Sequence, residues 1–238
     1  MKHLDFTIDF ETCALTANAA PMQVAIVPWR REAETDPFVA DETGEATEEV
    51  ASALPEPFVK YVDLRTCVVD GFDFDPSTVK WWTERNDEAK RAVCRDLAEP
   101  VTDVFFAALD YIRETVAQYQ TDSICLWCQG MDVDIAILRN LCKRYDVDLE
   151  DIVPHTSFRD CRTIILETVM IEAERSATFK GTRVVGISPR QIQSDPSLAY
   201  KVFEPLPSHI YAGEAHDALY DAMRSSWYTW QALKWLRQ

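Results

Sequence analysis

The 238-residue sequence lacks several features that would assign it to a common class of protein. It has no run of eighteen or more apolar residues, which excludes a membrane-spanning helix. Its first ten residues include Asp5 and Asp9, and such carboxylates do not fit the apolar core of a secretory signal. No P-loop, EF-hand loop, G-x-S-x-G or H-E-x-x-H motif is present. The sequence therefore predicts a cytoplasmic protein with no membrane partner, outside these motif-defined classes.

The sequence also lacks the paired cysteines of a disulfide framework, because its seven cysteines are odd in number and scattered. Cys125 and Cys128 form a C-x-x-C pattern, but no second pair and no nearby histidine completes a zinc site. Both lie in the apolar run 123–128. We interpret them as reduced thiols in a buried strand.

Basic residues are scarce, since 24 Lys and Arg face 40 Asp and Glu, for a net charge of −16. A basic patch is the usual footprint of nucleic-acid binding, so this balance disfavours that class. Much of the excess is local, because the stretch 32–56 has nine acidic residues and no basic one. Subtracting those nine charges leaves −7, which keeps a nucleic-acid partner possible.

Strand and helix patterns alternate along most of the chain. Apolar runs of strand length occur at 4–10, 22–29, 58–64, 124–128 and, more briefly, 157–160. Helical patterns occur at 76–93 (capped by Ser77 or Thr78), 100–119, 133–145, 162–170 and 214–236. The stretches 31–56 and 175–212 have no periodic apolar face and predict an acidic loop insertion and an irregular segment. We therefore predict a single domain over 1–238, of the α/β class, with a mixed sheet flanked by helices on both faces.

Two carboxylates close the first predicted strand, in the segment 7–12 (TIDFET). Asp9 and Glu11 are two residues apart, so their side chains emerge on the same face. Neighbouring carboxylates repel, and one would hold a proton unless a cation lay between them. Carboxylate oxygens are the ligands that Mg²⁺ and Mn²⁺ prefer. A D-x-E pattern after a strand is common, however, and alone it is a weak indication of a metal site.

A second acidic segment, 130–138 (GMDVDIAIL), follows a strand and opens a helix. On this segment alone, helix capping is the better explanation, with Asp132 as the N-cap and both acids complementing the helix dipole. Asp134 is the more informative residue because it borders the apolar side of the helix.

The third segment is 216–222 (HDALYDA). In a regular helix His216 and Asp221 lie about 140° apart after one full turn. They border one cleft if His216 belongs to a less regular first turn. The alternative, a solvated helix face, does not explain the small Ala218 and Ala222 beside the acid.

Together the three segments resemble the DEDDh family of 3′–5′ exonucleases, in which D-x-E, a later Asp and a final His-x₄-Asp occur in this order. The order of elements also matches a ribonuclease H-like core. Within the family, the segments 9–12 (DFET), 79–82 (VKWW) and 158–163 (FRDCRT) are similar to the group of phage exonuclease A and mycobacterial 3′–5′ exoribonucleases. Thr83 and Glu84 stand where that group often has a Gln after its tandem Trp. The resemblance leaves a phage or prophage origin open.

The resemblance implies hydrolysis of phosphodiester bonds from the 3′ end of single-stranded DNA or RNA, releasing nucleoside 5′-monophosphates. Two divalent cations, Mg²⁺ or Mn²⁺, would be held by four carboxylates. Asp9 would bridge both ions, Glu11 and Asp221 would complete one site, and Asp134 would hold the other ion. His216 would act as the general base.

Substrate contacts implied by the resemblance involve aromatic faces, which stack bases without reading sequence. The aromatic candidates are Phe10 and Trp81 or Trp82, and Thr12 is a further candidate for a substrate contact. One of the two adjacent Trp residues is expected to face the core. Lys180, Arg183 and Arg190 are weaker candidates for phosphate contacts. Asp160 and Arg162 are interpreted as a pair supporting the site or, equally, as a surface ion pair.

Two other functions remain open from the sequence. One is a different two-metal phosphoesterase, such as an endonuclease or a nucleotide hydrolase. The other is a non-catalytic acidic interaction protein whose carboxylates bind Ca²⁺ or no metal. The discriminating observations are the position of cleavage on an end-labelled strand and the effect of replacing Asp9.

Overall fold

The computed structural model describes residues 3–39, 54–85, 98–121, 123–178 and 187–238. The strands in these ranges are β1 (His3–Thr12), β2 (Pro21–Trp29), β3 (Phe58–Tyr61), β4 (Ser123–Cys128) and β5 (Phe158–Asp160). The helices are α1 (Leu64–Val69), α2 (Pro76–Thr83), α3 (Val101–Tyr119), α4 (Asp134–Arg144), α5 (Cys161–Thr178), α6 (Pro189–Ser194) and α7 (Ala218–Leu236).

The five strands form one mixed sheet in the order β3-β2-β1-β4-β5. The pairs β1–β2 and β2–β3 are antiparallel, whereas β1–β4 and β4–β5 are parallel. Parallel neighbours end at the same edge of a sheet, so the carboxyl ends of β1 and β4 lie together. Asp9 and Glu11 lie at this end of β1, and the acidic segment that contains Asp134 follows β4.

Helices cover both faces of the sheet. Leu4, Phe6 and Ile8 of β1 are buried in a core that includes side chains of α3 and α4. On the other face, Cys125 and Trp127 of β4 are buried in a second core with side chains of α5 and α7. Every residue of β2 is buried, as expected for a strand covered on both sides. The predicted fold class, a ribonuclease H-like mixed sheet flanked by helices, is confirmed.

Several predicted boundaries shift because carboxylates cap helices earlier or later than the pattern indicated. The third strand ends at Tyr61 rather than at 64, since Asp63 accepts the N–H of Arg65 and starts α1. Asp75, not Ser77 or Thr78, caps α2 by accepting the N–H of Thr78. The rest of that predicted helix, residues 86–93, lies outside the described residues.

The segment predicted to be irregular contains more regular structure than its prolines indicated. Helix α5 runs to Thr178, beyond the predicted end at 170. Pro189 is the first residue of α6, and Pro196 opens a 3₁₀ helix that ends at Val202. Proline fits the first turn of a helix, where its missing N–H has no partner to lose. Most of the predicted acidic loop, residues 40–53, lies outside the described residues.

Two further observations bear on the sequence expectations. The six described cysteines are buried and form no disulfide with one another, and Cys125 and Cys128 lie in a buried strand as predicted. Among the described helices, none is long and apolar enough to cross a membrane.

Candidate active site

The carboxyl end of β1 carries the first pair of acids. Asp9 and Glu11 lie on the same face of the strand, opposite Ala25 and Gln23 of β2. The register of the ladder shifts after Glu11, where the strand ends. Both side chains therefore project at the edge of the sheet, where the chain leaves its regular pairing.

Asp134 reaches the same edge from the start of α4. It is 6% exposed, and its Oδ1 accepts the backbone N–H of Phe10 at 3.1 Å. The predicted cap is wrong: Val133 occupies the N-cap position without a side-chain hydrogen bond, and Asp132 is exposed. Asp134 is thus fixed to β1, 124 residues away along the chain, by a contact that capping does not explain.

His216 and Asp221 arrive from the other end of the sequence. Helix α7 begins at Ala218, capped by Asp217, so His216 lies before the helix and not within it as predicted. Its backbone adopts φ +70°, which is rare for a residue other than glycine, and its N–H donates to Oδ2 of Asp221 at 2.9 Å. The irregular turn removes the separation of about 140° that a regular helix would impose.

The three segments converge. Potential ligand atoms of Glu11, His216 and Asp221 all lie within 4.8 Å of one another. Asp9 lies close enough to Asp134, Glu11 and Asp221 for all three charges to act on it. The four carboxylates and the histidine are therefore brought together at one edge of the sheet.

Burial of like charges raises the pKa of three of these carboxyl groups. Burial, and then the charges of Asp134, Glu11 and Asp221, raise the pKa of Asp9 well above its usual range. Burial, followed by Asp221 and Asp134, raises the pKa of Glu11 to about 8. Burial raises the pKa of Asp134 to about 7, although the hydrogen bond from Phe10 opposes it. Such a cluster favours either bound protons or a bound cation.

The donor set fits a divalent cation. Oδ1 of Asp221 is buried and accepts no hydrogen bond from the described residues, and it forms an ion pair with Nη2 of Arg224 at 2.8 Å. Asp9, Glu11 and Asp134 add further carboxylate oxygens near it. Hard cations such as Mg²⁺ and Mn²⁺ take oxygen ligands of this kind.

A buried glutamine holds the start of α7 against the sheet, and the sequence analysis missed it. Gln23 has no exposed surface; its Nε2 donates to Oδ1 of Asp217 at 3.1 Å, and its Oε1 accepts the N–H of Ala218 at 3.0 Å. The same Asp217 oxygen caps the helix through Leu219. A polar residue inside the apolar run 22–29 was the signal that could have revealed it.

Aromatic rings surround His216. The ring of Trp81 packs edge-on against it with centroids 4.7 Å apart, and the guanidinium of Arg85 lies 4.0 Å from the Trp81 centroid. Trp82 is 7% exposed, and its Nε1 donates to the carbonyl of Thr12. As expected, one of the two tryptophans faces the core. The partly exposed Trp81 is the one available to a substrate.

Phe10 and Thr12, the other residues predicted to contact the substrate, have side chains that pack or bond within the protein. Phe10 packs against the first core, and the Thr12 side chain is buried and donates to the carbonyl of Ala14. Asp160 and Arg162 form no side-chain ion pair: Asp160 accepts the backbone N–H of Arg162, whose guanidinium donates to the carbonyl of Gln129.

Among the basic candidates for phosphate contacts, Arg190 is exposed on α6. Lys180 and Arg183 lie outside the described residues.

Comparison with solved structures supports the fold. The chain aligns with a product-bound exonuclease I (14% identity, TM-score 0.50, covering 100% of this chain and 46% of that chain). It also aligns with a zinc-bound complex of E. coli exonuclease I and single-stranded DNA (16%, 0.50, 100% and 41%). A third match is cell-death related nuclease 4 (15%, 0.51, 97% and 64%). The chain thus spans less than half the length of these exonuclease I structures. No curated protein matches it.

The described residues combine a mixed five-stranded sheet with acids from β1, α4 and a His-x₄-Asp segment at one end of that sheet, and the exonuclease I and nuclease structures above share this fold. More narrowly, the chain belongs to the family described as the 3′–5′ exoribonuclease Rv2179c-like domain, whose model matches residues 4–187. That match includes Asp9, Glu11 and Asp134 and ends before His216 and Asp221. The last motif therefore depends on the geometry described above.

Proposed function

We propose that this chain is a divalent-metal-dependent exonuclease that removes nucleotides from the 3′ end of single-stranded RNA and releases nucleoside 5′-monophosphates. The observation that carries the proposal is the convergence of Asp9, Glu11, Asp134 and Asp221 with His216 at the edge of the sheet. The description of the family as exoribonucleases supports RNA as the substrate.

The four carboxylates would hold two divalent cations. Glu11 and Asp221 would serve one ion and Asp134 the other, and Asp9 would supply a further carboxylate ligand. Bound ions of this kind stabilise the charge that develops on the attacking and leaving oxygens of a phosphodiester. The raised pKa values of Glu11 and Asp134 support this assignment, because buried carboxyl groups, in the case of Glu11 also close to other acids, need a counter-charge to ionise near neutral pH.

The chain's own residues would do the remaining work. His216 would take a proton from the attacking water, because its side chain lies beside Glu11 and Asp221. Trp81, which packs against His216, would stack on a terminal base, and Arg85 above that ring would contact a phosphate. Gln23 would keep His216 in place through Asp217 and Ala218.

The test uses two 5′-labelled single strands of one sequence, an RNA and a DNA, each incubated with Mg²⁺, Mn²⁺ or EDTA. A ladder that shortens from the 3′ end, with 5′-monophosphates as the released product, supports the proposal. Internal cuts indicate an endonuclease, and binding without turnover indicates an interaction protein. Preference for the DNA strand would overturn the assignment of RNA.

The matched control is Asp9→Asn, which keeps the size of the side chain and removes its charge. We expect turnover to fall by roughly three orders of magnitude or more, as for loss of a ligand shared by two ions. Unchanged turnover in this variant would contradict the proposed site even if the parent protein degrades RNA.

A further inference from the structure

A second cluster of reactive side chains lies at the opposite end of β1 from the carboxylate site. Asp5 is paired in register with Cys125 of β4, and His3 precedes it by two residues on the same face. Potential ligand atoms of His3, Asp5 and Cys125 all lie within 4.8 Å of one another. Asp5 is four residues before Asp9, about 13 Å along an extended strand, so this cluster is separate from the proposed nuclease site.

The cluster carries an excess of positive charge around the thiol. Asp5 is fully buried and accepts from Arg31 Nε at 2.7 Å, from Trp127 Nε1 at 2.6 Å and from His3 Nε2 at 3.2 Å. Nδ1 of His3 lies 2.6 Å from the hydroxyl of Ser123. The hydrogen bond with Asp5, followed by the nearby Cys125 sulfur, raises the pKa of His3 to about 9, so its ring is protonated near neutral pH.

Cys125 differs from Cys128, Cys142 and Cys161 in the direction of its pKa. Burial acts to raise the pKa of its thiol, but the neighbouring His3 ring and the charges of Arg31 and Arg159 outweigh burial and Asp5, and lower it. By contrast, burial raises the pKa of Cys128, Cys142 and Cys161. The chain therefore contains its own set of control thiols.

Thiol chemistry suits this cluster better than a bound metal. Both oxygens of Asp5 accept hydrogen bonds from the Arg31 guanidinium, and Trp127 donates to one of them. A cation bound by Asp5 would have to displace or face that guanidinium, which repels it. The imidazolium beside the sulfur, in contrast, is the arrangement that activates cysteine as a nucleophile.

We propose that Cys125, paired with His3 and supported by Asp5, is a reactive thiol site for small electrophiles, in particular hydroperoxides. The sulfur attacks one peroxide oxygen, forming an S–O bond as the O–O bond breaks. The leaving oxygen takes the proton of the His3 imidazolium, so hydrogen peroxide is reduced to water and the sulfur is oxidised to a sulfenic acid. Cys125 is 5% exposed, which restricts the site to small reagents.

The experiment measures each cysteine separately in the reduced full chain. The protein is treated with hydrogen peroxide plus dimedone, or with iodoacetamide, and labelling is followed by peptide mass spectrometry over time. We expect Cys125 to react about tenfold faster than Cys128, Cys142 or Cys161 at pH 7. Equal rates for all four would overturn the proposal without any variant.

Two variants sharpen the test. His3→Gln keeps a polar side chain but removes the imidazolium, and should reduce the rate at Cys125 to that of the other thiols. An unchanged rate at Cys125 would contradict the pairing. Slow labelling of Cys142 and Cys161 in the same sample confirms that the variant is folded. If the variant does not fold, the labelling rate of Cys125 relative to the other thiols of the wild-type protein tests the proposal. Asp9→Asn should leave the rate at Cys125 unchanged, which separates this site from the proposed nuclease.

Discussion

Glu11 allows the electrostatics of the carboxylate cluster to be tested through stability instead of activity. Replacing Glu11 by Gln supplies a side chain that resembles the protonated acid at every pH. We expect the metal-free variant to match the parent protein at pH 5 and to be more stable than the parent at pH 8. The reason is that the folded parent must either keep a proton on Glu11 or bury its charge among other acids.

The sign and size of the change in the free energy of unfolding follow from the pKa of Glu11 in the unfolded chain and in the folded chain. Below pH 4.5, the ordinary value, Glu11 is neutral in both folded and unfolded chains. Between 4.5 and about 8 the unfolded chain releases the proton while the folded chain keeps it, so the free energy of unfolding falls as the pH rises. The full gap corresponds to about 5 kcal/mol. Because Asp9 and Asp134 share the same repulsion, we expect the variant to gain about 2–5 kcal/mol at pH 8.

The assay is urea unfolding in EDTA from pH 5 to pH 9, followed by tryptophan fluorescence. Glu167→Gln on α5 is the matched control, because Glu167 is exposed and its replacement should not change the pH dependence. Adding Mn²⁺ at pH 8 should stabilise the parent more than the Glu11 variant. If Glu11→Gln shifts stability equally at pH 5 and pH 8, or destabilises the protein at pH 8, the described electrostatics are refuted.

Three other changes test the remaining parts of the site. Asp221→Asn should weaken Mn²⁺ binding by about 100-fold in calorimetric titration, and affinity equal to the parent's would remove Asp221 from the ligand set. Trp81→Ala should weaken binding of a single-stranded oligonucleotide by about 1–3 kcal/mol in fluorescence anisotropy, whereas Trp235→Phe on α7 should have no effect. Gln23→Leu should lower kcat about tenfold with KM unchanged, because it frees the turn that holds His216; a change in KM alone would contradict this role.

The strands and the long helices could be predicted because their patterns arise from burial. The run 22–29 is apolar except for Gln23, and the strand it forms is buried at every residue. The periodic pattern at 100–119 corresponds to α3, which ends at Tyr119. The boundaries of the elements were harder to predict. A single hydrogen bond to a capping carboxylate, such as Asp63 or Asp217, decides where a helix begins.

The candidate site was predictable in its residue types but not in its supports. Each acidic segment alone was a weak indication, and the three segments taken together, through their resemblance to a nuclease family, indicated Asp9, Glu11, Asp134 and Asp221. The tie between Asp134 and the backbone of Phe10 joins distant segments and leaves no local pattern. The same holds for the left-handed backbone at His216, which depends on Asp221 and on a glutamine from β2.

The central pair of strands sets the order in which the proposed site can form during protein synthesis. β1 is synthesised before its parallel partner β4, which follows more than 110 residues later, and α7 is made after both. Contacts between distant segments form late, because a long stretch of chain must first be made and closed. A chain made only as far as β4 therefore carries Asp9 and Glu11 without Asp221, so the proposed site is not yet assembled.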